Sequence, residues 1–314
     1  MSPQLPASAR IREVGPRDGF QNEPEVISTA DKIRLINRLG QTGLDRIEVA
    51  SFVRPDVIPQ LSDAVEVLNG IDVPEYVSLT VLVPNSRGLD NALKVRERFH
   101  EVALFVSASE THNKRNVNRY IDESMADNDI LVKRIDAEDL KPTAVIATAF
   151  GCPFEGRVPM ERTLELAEQF AAAGCREIGF GDTTGMAHPA YVFDIFSAAI
   201  ERLPGVEITA HFHNTRGQGL ANAYAALQAG CTSFESSFGE LGGCPVPAGS
   251  TGNIATEDLI NMFHEMGVQT GVNLPAVIDA ARAAQTVLGR KLTSHCIVAG
   301  PVDWHPGPGA SGCH

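Results

Sequence analysis

The sequence predicts an α/β fold: a (β/α)8 barrel of the TIM type with extra C-terminal helices. Three observations lead there. Eight short β-branched runs alternate with longer amphipathic stretches. Successive runs start 25 to 42 residues apart, each the length of one βα unit. Two helical stretches follow the eighth run, as a closed barrel requires. An open doubly wound sheet is the competing architecture. It is weakened because no G-x-G-x-x-G follows the first run.

The expected strands are residues 11–15, 44–51, 76–82, 101–107, 143–150, 176–182, 207–213 and 232–237. Between the first two, the segment 29–43 places Ile33, Ile36 and Leu39 on one helical face. Thr29 is its expected N-cap, and Gly40 and Gly43 its stops. The segments 161–175 and 219–231 repeat this design and end at Gly174 and Gly230. Further helices are expected near 255–266 and 274–288. Residues 1–290 therefore read as one catalytic unit, and 291–314, rich in Pro and Gly, as an irregular, mobile tail.

Composition narrows the function. The chain has 26 Lys+Arg against 39 Asp+Glu, a net charge of −13, which argues against nucleic acid as a partner. No apolar run approaches the roughly 20 residues of a membrane helix, and no apolar signal core opens the chain. The expected location is cytoplasmic. Six cysteines without a C-x-x-C give neither a disulfide framework nor a structural zinc site.

In such a barrel, functional side chains sit at the C-terminal strand ends and in the loops beyond them. Those positions hold Arg17 and Asp18, then Glu48, then Asp182 and Thr183, then His211 and His213, and finally Cys244 and Asn253 in the last Gly-rich loop. His211 and His213 are two residues apart on a strand and so share a face, which makes half of a metal site. Their bland alternative is a pair of surface histidines. Asp18 and Asn253 can add oxygen ligands, because strands 1, 7 and 8 become neighbours on closure. A mixed N/O set suits Mg²⁺ or Mn²⁺, with Zn²⁺ as a third candidate. Arg17 either pairs with Asp18 or binds developing negative charge. Cys244 is either a reactive thiol or a small residue in a tight turn. The other histidines, His100, His112, His188, His264, His295 and His305, have no partner at ligand spacing and read as structural or solvated.

The segments EVGPRDGFQNEP, IEVASFVRPDVIPQLSD, GCPFEG, GDTTG, HFHNTRGQGLANAYAALQAG and GELGGCPVPAGSTGNIATEDL together resemble the 3-hydroxy-3-methylglutaryl-CoA lyase family of the DRE-TIM metallolyases. The similarity runs from about residue 10 to 290. It implies a (β/α)8 barrel and cleavage of 3-hydroxy-3-methylglutaryl-CoA to acetyl-CoA and acetoacetate, as in leucine degradation. It further implies Asp18, His211, His213 and Asn253 as metal ligands, Arg17 as stabiliser of the enolate, and Cys244 as a proton carrier. Glu48 and Asp182 fall in the site, with Thr183 beside them. An acyl-CoA substrate and a homodimer or higher homo-oligomer are expected. The sequence departs from the family pattern at Phe20, Asn214 and Arg216. Arg216 has three expected uses: binding a substrate carboxylate, pairing with Glu240, or reshaping the acyl pocket. The alternatives are the same lyase chemistry on a different 3-hydroxyacyl-CoA, which Arg216 motivates, and a condensing acyltransferase, against which Cys244 argues.

Overall fold

The computed structural model describes residues 5–242 and 252–304. Eight parallel strands close into a barrel: β1 (Arg10–Glu13), β2 (Arg46–Ser51), β3 (Ser78–Leu82), β4 (Glu101–Ser107), β5 (Lys141–Ala147), β6 (Glu177–Asp182), β7 (Glu207–Phe212) and β8 (Ser233–Ser236). Each pairs with its chain neighbours, and β8 closes on β1 with Ser233 opposite Arg10 and Ser236 opposite Glu13. All eight expected strands are present. The fifth starts two residues early and ends at Ala147, because Thr148 takes a left-handed φ of 53° that turns the chain out of the sheet. A two-residue antiparallel hairpin, Gly151–Cys152 with Gly156–Arg157, follows it.

The outer helices are α1 (Thr29–Gly40), α2 (Ala64–Gly70), α3 (Ser86–Ala92), α4 (Glu110–Val117), α5 (Ile121–Asp136), α6 (Met160–Ala173), α7 (Pro189–Arg202) and α8 (Gly219–Gln228). After the barrel come α9 (Thr256–Glu265), α10 (Leu274–Leu288) and α11 (His295–Ala299). The N-cap of α1 is Ser28 rather than Thr29: the Ser28 hydroxyl accepts from the Asp31 amide at 3.1 Å. Gly174 and Gly230 do end their helical segments, with φ of 127° and 100° that a side chain would oppose. The helices bury an apolar shell against the sheet. Phe180 of β6, Phe212 of β7 and Phe196 of α7 meet there with ring centroids 5.5 and 6.2 Å apart.

One expectation about the tail needs correction. Residues 295–299 are helical, because Asp258 caps them: its two carboxylate oxygens accept from the amides of His295 at 2.9 Å and Cys296 at 2.7 Å.

The lower half of the barrel interior is ionic rather than aliphatic. Arg12 of β1 reaches Glu101 (2.7 Å), Glu177 (2.8 Å) and Glu235 (2.9 Å), one each on β4, β6 and β8. Arg46, fully buried, contacts Glu177 and lies 3.1 Å from Glu101. Lys141 adds a contact of 2.6 Å to Glu177, and the Thr80 and Thr209 hydroxyls donate to Glu101 and Glu177. At its centre, three cations face three carboxylates, so the layer is neutral and each charge has opposite neighbours. Burial alone would raise Glu177, yet Arg12 and Lys141 hold it below the usual carboxylate range.

This balance makes Arg12 the keystone of stability. Arg12→Met leaves three buried carboxylates short of a partner, and the expected cost is about 3–5 kcal/mol of unfolding free energy. Urea denaturation of the two proteins measures it. An unchanged midpoint would show that the interior charges are compensated without Arg12.

Candidate metal centre and active site

Beyond β1 the chain coils into a tight turn over Gly15–Gly19, in which the Asp18 amide donates to the Val14 carbonyl at 2.7 Å. Gly15 is required there, since a Cβ would meet the Phe238 ring at 2.5 Å and Glu13 Oε1 at 2.7 Å. The turn aims Arg17 and Asp18 at the barrel mouth. Arg17 lies between two carboxylates: Nη1 donates to Asp18 Oδ1 at 2.7 Å and Nη2 to Glu48 Oε2 at 2.8 Å. Burial pushes the Glu48 carboxyl up, against the pull of Arg17.

His211 and His213 share one face, as the two-residue spacing requires, and their Nε2 atoms lie 3.2 Å apart. His211 Nδ1 is 2.9 Å from Glu235 Oε2. The acceptor at Nδ1 assigns the proton there and leaves the Nε2 lone pair facing the mouth. Burial disfavours the His211 imidazolium, but Glu235 and Asp18 outweigh it and raise its pKa. Residues 252–254 run back along the end of β7: Asn214 donates its amide to Gly252 and Ile254 to Phe212, each at 3.0 Å. That pairing sets Asn253 opposite His213 and delivers its side-chain amide to Asp18 Oδ2 at 2.7 Å.

Asp18, His211 and His213 offer ligand atoms that all lie within 4.8 Å of one another. Burial works against ionisation of Asp18, yet Arg17 and the two histidines hold its carboxyl at about 2. Two features fit a cation at this point. Asn253 Oδ1 is buried with no hydrogen-bond partner among the described residues. Gly242 leaves open the volume where a Cβ would sit 2.7 Å from Asn253 Nδ2 and 3.6 Å from Asp18 Oδ2. Two imidazoles, a carboxylate and an amide oxygen match a divalent metal with positions left for substrate.

The other expected residues are placed as follows. Asp182 ends β6, but its Oδ1 is committed to the amides of Met186 (2.7 Å) and Ala187 (3.1 Å), and burial pushes its carboxyl up to about 6. Thr183 accepts from the Thr148 amide at 3.0 Å. Arg216 is exposed, and its Nη1 donates to the carbonyls of Thr184 (2.9 Å) and Gly185 (2.7 Å). The expected pairing of Arg216 with Glu240 is not formed: Glu240 Oε1 instead accepts from Asn214 at 2.7 Å. Arg216 thus ties the loop after β7 to the turn after β6. Cys244 lies outside the described residues.

Sequence reasoning missed Glu235, which orients His211. The signal was available: Glu235 is an acid in the middle of an expected strand, and in a barrel covered by helices a buried acid needs a partner. It also missed the bond between Ser107 Oγ, at the end of β4, and His112 Nδ1 of α4.

Comparisons with known proteins identify the family. A family model described as HMGL-like matches residues 8–284. A hydroxymethylglutaryl-CoA lyase of Bacillus subtilis (strain 168) is 45% identical over 293 residues, 92% of this chain and 96% of that one. The mitochondrial hydroxymethylglutaryl-CoA lyase of Homo sapiens is 40% identical over 290 residues, 92% and 89% of the two chains. Among solved structures, the Bacillus subtilis HMG-CoA lyase superposes with a TM-score of 0.90, covering 93% of this chain and 97% of that one at 45% identity. An HMG-CoA lyase from Acinetobacter baumannii, in complex with coenzyme A and 3-methylmalate, also gives 0.90, at 40% identity over 96% and 98% of the two chains. With a barrel whose mouth gathers Arg17, Asp18, His211, His213 and Asn253, this chain belongs to the HMGL-like family and, within it, to the hydroxymethylglutaryl-CoA lyases.

Proposed function

We propose that this lyase cleaves 3-hydroxy-3-methylglutaryl-CoA to acetyl-CoA and acetoacetate, using Mg²⁺ or Mn²⁺ held by Asp18, His211, His213 and Asn253. The observation that carries the reading is the convergence of Asp18, His211 and His213 within 4.8 Å, with Arg17 2.7 Å from Asp18. Bound there, the ion would supply Lewis acidity, which lowers the pKa of a hydroxyl and polarises a carbonyl. The C3 hydroxyl gives its proton to Asp18 or to His211, whose Glu235 partner favours the imidazolium. As C2–C3 breaks, negative charge moves to the thioester oxygen, and Arg17 is the partly buried cation placed to stabilise it. Cys244 then protonates C2. Glu48 keeps the Arg17 guanidinium in the mouth. Asp182, Thr183 and Arg216 line the β6–β7 side, where the remaining guanidinium donors of Arg216 suit the free carboxylate.

A cytoplasmic enzyme fits the acidic composition and the buried free thiols of Cys152, Cys175, Cys231 and Cys296. No helix among the described residues is long and apolar enough to cross a membrane. A homodimer is supported by Phe193 and Ile200 on α7 and Tyr224 on α8, three large apolar side chains left exposed.

The direct test is turnover of 3-hydroxy-3-methylglutaryl-CoA by the purified protein. Activity is expected to vanish with a chelator, to return with Mg²⁺ or Mn²⁺, and to be lost in Asp18→Ala. No cleavage with either ion would overturn the reading. Cys244→Ser should lower kcat strongly with little change in KM, as expected of a group that acts after binding; full activity would make Cys244 a turn residue only. Glu235→Gln should weaken metal affinity about 10- to 100-fold, since the partner of a ligating histidine sets its orientation and basicity. Calorimetric titration with Mn²⁺ reads this, and unchanged affinity in a folded variant would remove Glu235 from the metal centre.

A further inference from the structure

Asn214 is one of the positions where the sequence departs from the family pattern, and its backbone and side chain are both fully engaged. Its amide N–H donates to the Gly252 carbonyl at 3.0 Å, and its own carbonyl accepts from the Gly217 amide at 2.8 Å. In the side chain, Oδ1 accepts from the Gly219 amide at 3.2 Å and Nδ2 donates to Glu240 Oε1 at 2.7 Å. These two partners fix which end of the carboxamide is which. A backbone N–H can only donate and a carboxylate can only accept, so the first must face Oδ1 and the second Nδ2. An aspartate at this position would set one carboxylate against another.

Glu240 is the other half of the pair, and its backbone is strained. Its φ is 62°, in the left-handed region that a side chain opposes. Nearby Gly239 and Gly242 have φ of 70° and 111°. The chain thus places glycine at two left-handed positions of this turn and a glutamate at the third. Strain of that kind persists where the surroundings over-determine the residue, and it gathers at functional sites. What the side chain supplies here is an acceptor for Asn214.

The pair stands where two stretches of chain meet. Residues 238–242 leave β8, and residues 252–254 return along the end of β7. They touch: a Cβ on Gly252 would lie 2.0 Å from the Glu240 carbonyl oxygen. The Leu241 carbonyl, next to Glu240, accepts from Asn253 Nδ2 at 3.2 Å, and the same nitrogen donates to Asp18 Oδ2 at 2.7 Å. Asn214 therefore holds the outgoing stretch through Glu240 and the returning one through Gly252. Asn253 sits between the two.

We propose that Asn214 and Glu240 are a matched positioning pair for the metal centre: the bond between their side chains holds the Leu241 carbonyl and Gly252 at the spacing that aims Asn253 at Asp18. The inference rests on the metal reading above. Neither residue transfers a proton or touches the reacting atoms.

The experiment is calorimetric titration of the full chain with Mn²⁺, alongside urea denaturation. Asn214→Asp should weaken Mn²⁺ binding about 10-fold or more, the scale of loss when a residue that orients a ligand is changed. Combining it with Glu240→Gln exchanges donor and acceptor. The introduced amide can then donate to the introduced carboxylate, and affinity should return to within about threefold of native. Glu240→Gly separates positioning from stability. It relieves the left-handed backbone and removes only the carboxylate, so the urea midpoint should hold or rise while Mn²⁺ affinity falls about 10-fold.

Unchanged affinity in folded Asn214→Asp and Glu240→Gly overturns the inference. So does a loss in Asn214→Asp that the double variant leaves unrepaired. A midpoint that drops in step with affinity in Glu240→Gly assigns the pair to stability alone and overturns it as well. Should Asn214→Asp fail to fold, the Glu240→Gly comparison decides. A native protein that binds no Mn²⁺ overturns the metal reading itself.

Discussion

A guanidinium removed from water must find acceptors for its N–H groups, and at Arg12 that requirement organises the barrel. Its carboxylate partners come from β4, β6 and β8, so strands far apart in sequence are held at one height around the lumen. One of those partners, Glu235, uses its other oxygen on His211 Nδ1. Charge-assisted bonds therefore run unbroken from fully buried Arg46, through Glu101, Arg12 and Glu235, to an imidazole at the mouth. The ligand geometry stands on an ionic floor, and the floor fixes the tautomer above it. Aliphatic packing alone would leave the imidazole free to turn.

The seam between β1 and β8 solves a second problem, bringing the two ends of the barrel sequence to one site. Glu13 is the fastener. Its carboxyl accepts from the amides of Gly15 at 2.7 Å and Phe238 at 3.1 Å, and from the Thr256 hydroxyl at 2.7 Å. Burial pushes this acid up to about 8. Glu257, pushed by burial to about 7, accepts from the Gly239 amide at 3.0 Å one residue further along. Two buried acids thus pin the exit of β8 between the turn that carries Arg17 and Asp18 and the helix that follows Asn253. Asn253 is positioned by backbone contacts that belong to the seam.

The barrel itself was legible because its signals are local. A repeat of about one βα unit, Gly174 and Gly230 at helix ends, and a His-x-His at an expected strand end each need only a few neighbouring residues. What escaped depends on partners remote in sequence. Arg12, Glu101, Glu177 and Glu235 look, in one dimension, like polar strand edges; only closure shows that they neutralise one another. Arg216 offered three uses, an acidic partner among them, yet its Nη1 donates to two carbonyls of the turn after β6. The helical turn at 295–299 exists because Asp258, 37 residues upstream of His295, caps it.

The pairing of Asp18 with Asn253 spans 235 positions of the chain. On a ribosome, the N-terminal part of the site emerges long before its complement, and the two histidines appear between them. Of the residues gathered at the mouth, Arg17, Asp18 and Glu48 come from the first two strands and their loops and His211, His213 and Asn253 from the last two, so neither half of the barrel contains them all. Contacts this distant in sequence close late and slowly. A chain that stalls before the seam forms therefore lacks the bond between Asp18 and Asn253, and with it the geometry of the barrel mouth.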